Sequence, residues 1–363
     1  MRTTIDRVAA GVVLCVLIVT LGPAAQKKKK EEVTQTLQLP KELPAAVVGE
    51  SRRFTFHTTP LSGKGLLSAQ VRDALKALSH ETGGNPVLHI RAFVAGSGDL
   101  RRVRDLVSET FTDHRLPLPA LSLVRAGGLP MEGAQVVLEA IAAARKDVNP
   151  QGLVFLAAPL ATSDNSTDPV PPLAARSLEQ LRQTVKDAGS EPADVLRVTC
   201  FVSSLDNVAE IRKLVEAEYP RAALDYVQTQ RVPGRSVAAC EAVARLRWNT
   251  GTKVHYVPTG GEPRAALVAA QHVVLSGTQV SYGYQEADSR LAFERLVKGL
   301  EGMGVTGRDV AFARYYPLAE PIANQVRKLR SGFFASPASS LVLVEGLPSM
   351  DAGFAVDVVA VKD

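Results

Sequence analysis

The chain is 363 residues long, more than one compact domain needs at roughly 150 residues per domain, so a single small module is excluded. Hydrophobic residues are 46% and charged residues 22%, with 27 Gly and 22 Pro, which fits neither a disordered nor a collagenous chain. The formal net charge of +5 sits mostly at the amino end: residues 1–45 hold seven Lys/Arg and four Asp/Glu, leaving 35 against 33 elsewhere, so composition gives no electrostatic footprint for nucleic acid.

Arg2 and Arg7 precede an apolar run from Val8 to Leu21, followed by Gly22-Pro23-Ala24-Ala25. This is the layout of a secretory signal peptide over 1–25. The run is 14 residues, short of the roughly 20 that a membrane-spanning helix needs, so cleavage after about Ala25 and a periplasmic or secreted protein are expected, with no membrane contact afterwards. An uncleaved anchor is the alternative, because Lys27 to Lys30 directly after the run resist translocation. Residues 26–45 are polar with Pro40 and Pro44 and read as a linker.

The next predicted elements recur. In the first stretch, strand His89-Ile-Arg-Ala-Phe-Val-Ala-Gly is followed by an apolar strand closing on Glu139-Ala-Ile-Ala. In the second, Gly152-Leu-Val-Phe-Leu-Ala-Ala predicts a strand, and Leu173, Leu178, Leu181 and Val185 share one face of a helix ended by Gly189 and Pro192. Strand 197–203 follows, then a helix from about Leu205 bearing Val208, Ile211, Leu214 and Val215. Strands at about 223–230 and 236–243 flank Pro233-Gly234, the last closing on Glu241-Ala-Val-Ala. In the third, Phe312-Ala-Arg-Tyr-Tyr-Pro-Leu-Ala precedes Asp357-Val-Val-Ala. The closers are 102 and 116 residues apart and the upstream strands 108 and 115. Near-equal spacing at two landmarks predicts three tandem domains, 46–146, 147–249 and 250–363, each β-α-β-α-β-β and α+β in class. The open face of each sheet needs cover, and the other two domains are the nearest supply.

Cys15 falls in the signal, leaving Cys200 and Cys240. Two buried thiols are the default reading, and one bridge is permitted in an oxidising compartment. The six histidines (57, 80, 89, 114, 255 and 272) show no ligand spacing, and Cys-x-x-Cys is absent, so neither a metal nor a cofactor is expected.

The element order, the strand from Val198 to Val208 running into a helix, and the closing Glu-Ala-Val-Ala resemble the RidA (YjgF, L-PSP endoribonuclease-like) family. Leu275-Ser276-Gly277-Thr278-Gln279 is similar to that family's Ser-Gly-Gln turn, and Leu116-Pro-Leu-Pro-Ala-Leu-Ser to its Pro-Ala-Arg-Ser strand. The resemblance implies a chorismate mutase-like fold, normally a homotrimer with intersubunit clefts that hydrolyse enamines and imines to keto acids. Three copies in one chain would form an intramolecular pseudo-trimer, monomeric in solution.

The resemblance also implies an Arg that grips the substrate carboxylate, and this sequence departs there: the matching positions are Leu121, Leu224 and Ser339. Arg235, in Pro233-Gly234-Arg235-Ser236, mimics the motif but lies only six residues before Glu241, too few for the final hairpin, and reads as a turn arginine. A second family position, a Glu two residues before the closing acid, holds Val137, Ala239 and Ala355. On the second helix, where the family has a cleft-lining Asn, stand Arg104, Arg212 and Arg327. These read either as an anion-binding set, with Ser276 and Gly277 also at a ligand site, or as surface arginines paired with nearby acids. The expectation is an exported protein degenerate for deamination that binds a small ligand, an anion being one reading, or a partner in interdomain clefts. An active 2-iminobutanoate/2-iminopropanoate deaminase-like hydrolase with replacement residues and a structural protein are the alternatives. The near-neutral body and 5% aromatics argue against a ribonuclease.

Overall fold

The computed structural model describes residues 40–231, 234–258 and 261–362. The expected signal and most of the linker lie outside them. Among the described residues no helix is long and apolar enough to cross a membrane.

In chain order the elements are β1 (Ala46–Glu50), β2 (Phe54–Thr58), α1 (Leu67–Glu81), β3 (Val87–Ala95), α2 (Leu100–Asp113), β4 (Ala120–Ala126) and β5 (Val136–Ala143). There follow β6 (Leu153–Leu156), β7 (Leu160–Ser163), α3 (Pro171–Asp187), β8 (Val195–Val202), α4 (Val208–Glu218), β9 (Ala223–Gln228) and β10 (Ser236–Arg245). The remainder is β11 (Val254–Val257), β12 (Ala265–Val268), β13 (His272–Ser276), β14 (Gln279–Tyr282), α5 (Glu286–Glu301), β15 (Val310–Pro317), α6 (Glu320–Leu329), β16 (Ala338–Leu341) and β17 (Ala352–Lys362). The order expected from the sequence thus recurs three times, with β1, β7, β11, β12 and β14 added to it.

The helices form where apolar residues return every three or four positions. In α1 these are Leu67, Val71, Ala74, Leu75 and Leu78, all buried. Asp99 caps α2 by accepting from the Arg101 N–H at 2.9 Å. Pro171 opens α3, where its missing N–H costs nothing, and Gly189 (φ +73°) supplies the left-handed turn that ends it.

The strands form three sheets. Sheet I has the order β2-β5-β3-β4, sheet II β11-β12-β6-β10-β8-β9 with β7 also on β10, and sheet III β1-β13-β17-β15-β16 with β14 also on β17. β3 and β4, β8 and β9, and β15 and β16 run parallel, and the other pairs are antiparallel. β1 therefore joins sheet III rather than the sheet nearest it in sequence, and the β11–β12 hairpin extends sheet II. Cys200 and Cys240 face each other across β8 and β10 and are disulfide-bonded, which corrects the default of two free thiols. Strand register brings them together, and the sequence does not display it.

Each sheet buries one face against its own two helices, in three separate cores. The opposite faces meet one another. One shared core joins Phe93, Phe201 and Tyr316, and a second joins Phe54, Phe155 and Phe312. Each draws on all three sheets. Side chains two apart on a strand share a face, so on β15 Phe312 enters the second core and Tyr316 the first, with Arg314 between them.

Candidate functional site

The layer between the two shared cores is charged. Arg91 and Glu139 are directly opposed in sheet I, Thr199 and Glu241 in sheet II, and Arg314 and Asp357 in sheet III. Arg91 bonds Glu139 Oε2 through Nε at 2.7 Å, Thr199 Oγ1 at 3.0 Å and Tyr316 OH at 3.3 Å, and its Nη1 lies 2.7 Å from Glu241 Oε1. One guanidinium therefore ties all three sheets together. Arg314 bonds Glu241 at 2.9 Å and Asp357 at 3.3 Å, and Arg197 lies 3.5 Å from Glu139. Ser122 and Tyr316 hydroxyls both donate to Asp357 Oδ2.

Burial opposes ionisation of Glu241, but Arg314, Arg91 and Arg197 outweigh it and hold its carboxyl far below the usual range. Asp225 goes the other way: burial first, then the charge of Glu139, pushes its carboxyl up to about 8. Burial brings Arg197 down to about 10 and His89 down to about 4. Each of these groups is buried. The layer's chemistry is that of a polar contact between sheets, and the closing acids that serve as sequence landmarks are its carboxylates.

One open site lies between sheets II and III. It is a cleft of about 70 Å³ with a floor of Leu160, Phe201 and Ala239 from sheet II and Leu341, Val342 and Leu343 from the third sheet's side. Thr162, Thr229 and Gln230 add neutral polar groups, and Arg235, Glu320 and Arg327 line it with charge. Arg327, on α6, is bonded to Glu320 at 2.9 Å and to Asn324 at 2.6 Å. Arg235 is exposed and, among the described residues, makes no hydrogen bond or ion pair. It follows Gly234 at the turn into β10, as the sequence suggests, and its side chain also lines the cleft.

Parallel pairing sets Leu121 opposite Ile90, Leu224 opposite Val198 and Ser339 opposite Ala313, so the three occupy one ladder position. Leu121 and Leu224 belong to the helix-facing cores of their own sheets. Ser339 accepts from Arg330 Nη1 at 3.0 Å and donates to Glu262 at 3.0 Å, while Arg330 is ion-paired to Glu262. An arginine from the end of α6 thus stands against this position, neutralised, which the linear sequence does not reveal.

The helix arginines are not brought together. Arg104 is exposed, 3.7 Å from Asp105, and Arg212 stacks on Tyr226 with its guanidinium carbon 5.6 Å from the ring centroid. Of the three, Arg327 lines the cleft. Ser276 is buried and accepts from the Val358 N–H at 2.8 Å. Gly277 passes so close to Leu121 that a Cβ there would come 2.6 Å from its carbonyl oxygen, and the next N–H, of Thr278, donates to that oxygen at 3.1 Å. The turn therefore seals the contact between sheets III and I.

No protein-family model matches the chain, and no curated protein does. Parts of it are similar to solved structures. One is a Mycobacterium tuberculosis member of the YjgF family, 21% identical over 30% of this chain and 99% of its own, with a TM-score of 0.24. A Neisseria meningitidis YjgF-family protein is 16% identical over 30% of this chain and 95% of its own, also at 0.24. A Yersinia pestis Rid-family protein is 23% identical over 28% and 83%, at 0.24.

Proposed function

We propose that this chain is three RidA-like domains, 46–146, 147–249 and 250–363, held as an intramolecular pseudo-trimer, and that it binds a small carboxylate with an apolar body instead of deaminating imines. The threefold recurrence of element order and the common ladder position of Leu121, Leu224 and Ser339 support the domain reading. The Cys200–Cys240 bridge supports export, since disulfides persist in oxidising compartments. The observation that carries the ligand is Arg235, a guanidinium with no partner among the described residues, beside an apolar floor.

Hydrolysis of an imine needs an acid or base within reach of the reacting atoms. Ala239 fills the position of the family's Glu, and the cleft's own acid, Glu320, is tied to Arg327. The cleft therefore has a grip without a proton carrier. Titrating 2-oxobutanoate by calorimetry tests this. Arg235→Ala should weaken binding about ten-fold or more, the scale of one charge-assisted hydrogen bond, while Arg104→Ala leaves it unchanged. Equal affinity in wild type and Arg235→Ala would reject the site, and turnover of imines generated by an amino-acid oxidase would reject the non-catalytic reading.

A further inference from the structure

Two of the three sheets have the same edge covered by a strand from elsewhere in the chain. In sheet III, β13 pairs on one side with β17 and on the other with β1, from Ala46 opposite Ser276 to Glu50 opposite His272. In sheet II, β6 pairs with β10 and on its other side with β12, from Ala265 opposite Leu156 to Val268 opposite Leu153. The corresponding strand of sheet I is β2. It pairs with β5 and, among the described residues, has no strand on its other side. The connections supply a reason. Residues 246–271 carry the hairpin that covers β6, whereas the link between β5 and β6 is only residues 144–152. That link turns across the start of β2, where the N–H groups of Val148 and Asn149 both donate to Arg52 O at 2.8 Å.

The backbone groups left open can be counted. Thr59 N–H donates to Leu138 O, and Ala144 N–H to Arg53 O, so the odd-numbered residues of this stretch face β5. By the alternation of an antiparallel ladder, Phe54, Phe56 and Thr58 face away from it. Phe54 is served: its N–H donates to Ser51 O and its O accepts from Asn149 Nδ2 at 2.8 Å. Phe56 and Thr58 have no backbone partner among the described residues, and the buried Thr58 Oγ1 is unpaired as well. Both residues are half-buried, so this is a slot beside the neighbouring sheet. Natural proteins cover or blunt such edges.

We propose that the edge of β2 at Phe56–Thr58 is a docking site for a short extended segment of another protein, added antiparallel as an outer strand of sheet I. The covered edges say what fits. Opposite Val273 and Leu275 stand Gly49 and Val47, and opposite Leu153 and Phe155 stand Val268 and Ala266. The occupant is accordingly a short strand that pairs with Phe56 and Thr58 and carries Val or Ala opposite Phe56, as Val47 and Ala266 stand at that position on the covered edges. Main-chain hydrogen bonds supply the affinity, and the small side chains supply the fit.

The probe is a fluorescein-labelled synthetic peptide of residues 44–51, which spans β1, titrated against the full chain by anisotropy and by amide hydrogen exchange. The amides of Phe56 and Thr58 should exchange quickly in the free protein and become protected with the peptide. Thr58→Pro removes an N–H that faces away from β5 and so keeps the ladder of sheet I; it should weaken the peptide at least ten-fold. Unchanged affinity in Thr58→Pro would overturn the proposal. So would protection of both amides in the free monomer, which would show the edge already covered by the chain itself, or protection that appears only with concentration-dependent dimerisation, which would assign the edge to a second copy. The exchange measurement needs only wild-type protein and decides the matter even where the proline variant does not fold.

Discussion

Asp225 occupies the ladder position that Ser122 and Ser340 hold in the other sheets, and a carboxyl there behaves unlike a hydroxyl. Ser122 and Ser340 are opposed by Arg91 and Arg314, whereas Asp225 is opposed by Thr199, so no guanidinium faces it directly. Its Oδ1 accepts the Tyr226 N–H at 2.8 Å, its Oδ2 is buried without a partner among the described residues, and its carboxyl is pushed up to about 8, by burial foremost. A carboxyl whose folded pKa lies above its unfolded value, about 3.8, stabilises the fold fully below that unfolded value. The stability is lost as pH rises toward 8, because the folded state holds a proton that the unfolded chain releases. Asp225→Asn, shaped like the protonated acid, should leave stability near pH 4 little changed and raise it at pH 8 to 9 by on the order of 1 kcal/mol or more. Urea midpoints measured across that range check the prediction, and parallel curves for the two proteins would contradict it.

Helix α3 was legible in the sequence because its apolar periodicity matches the face it buries, and the strands β3, β8 and β15 because they recur at near-equal spacing. The added strands were not. β7 and β14 are four residues each, and β1 and β12 owe their pairing to sheets far along the chain, which local pattern cannot encode. The closing acids stood out as repeats, yet their role in the layer between the sheets depends on which strands oppose one another. The same holds for Cys200 and Cys240: each reads as an apolar strand residue, and the register of β8 on β10 joins them. Their bridge spans a separation of 40 residues and limits the unfolded chain. A Cys200→Ala/Cys240→Ala double variant should lose about 2–4 kcal/mol in urea denaturation under non-reducing conditions, and unchanged stability would show that the bridge adds little.

Across the whole molecule, the cleft was legible only in part: Arg327 was singled out by its repeat position, and Arg235 was read as a turn residue. The Arg330–Glu262 pair beside Ser339 was invisible because it joins the end of α6 to a residue far from it in sequence. What the repeats could not convey is how unlike the three sheets are where they meet. Arg91, Thr199 and Arg314 hold one strand position, Arg197 stands two residues before Thr199, and these three arginines face Glu139, Glu241 and Asp357 in a single layer. Identical subunits could not carry such an asymmetric set; one chain can, and linkage keeps each sheet at high effective concentration for the others. Opening any one sheet would strip a charge from its partners, at about 3–5 kcal/mol for a broken buried pair, and would also uncover both shared cores. Partly unfolded forms should therefore be scarce. The protein should unfold in one cooperative step, with Trp248 fluorescence beside α3 following the same urea curve as the far-ultraviolet signal of the whole chain. Native-state exchange should give the slowest amides of β3, β8 and β15 one common opening free energy. A sub-global opening of sheet III alone, at clearly lower urea than β3 and β8, would mean that the charged layer does not bind the three sheets into one folding unit.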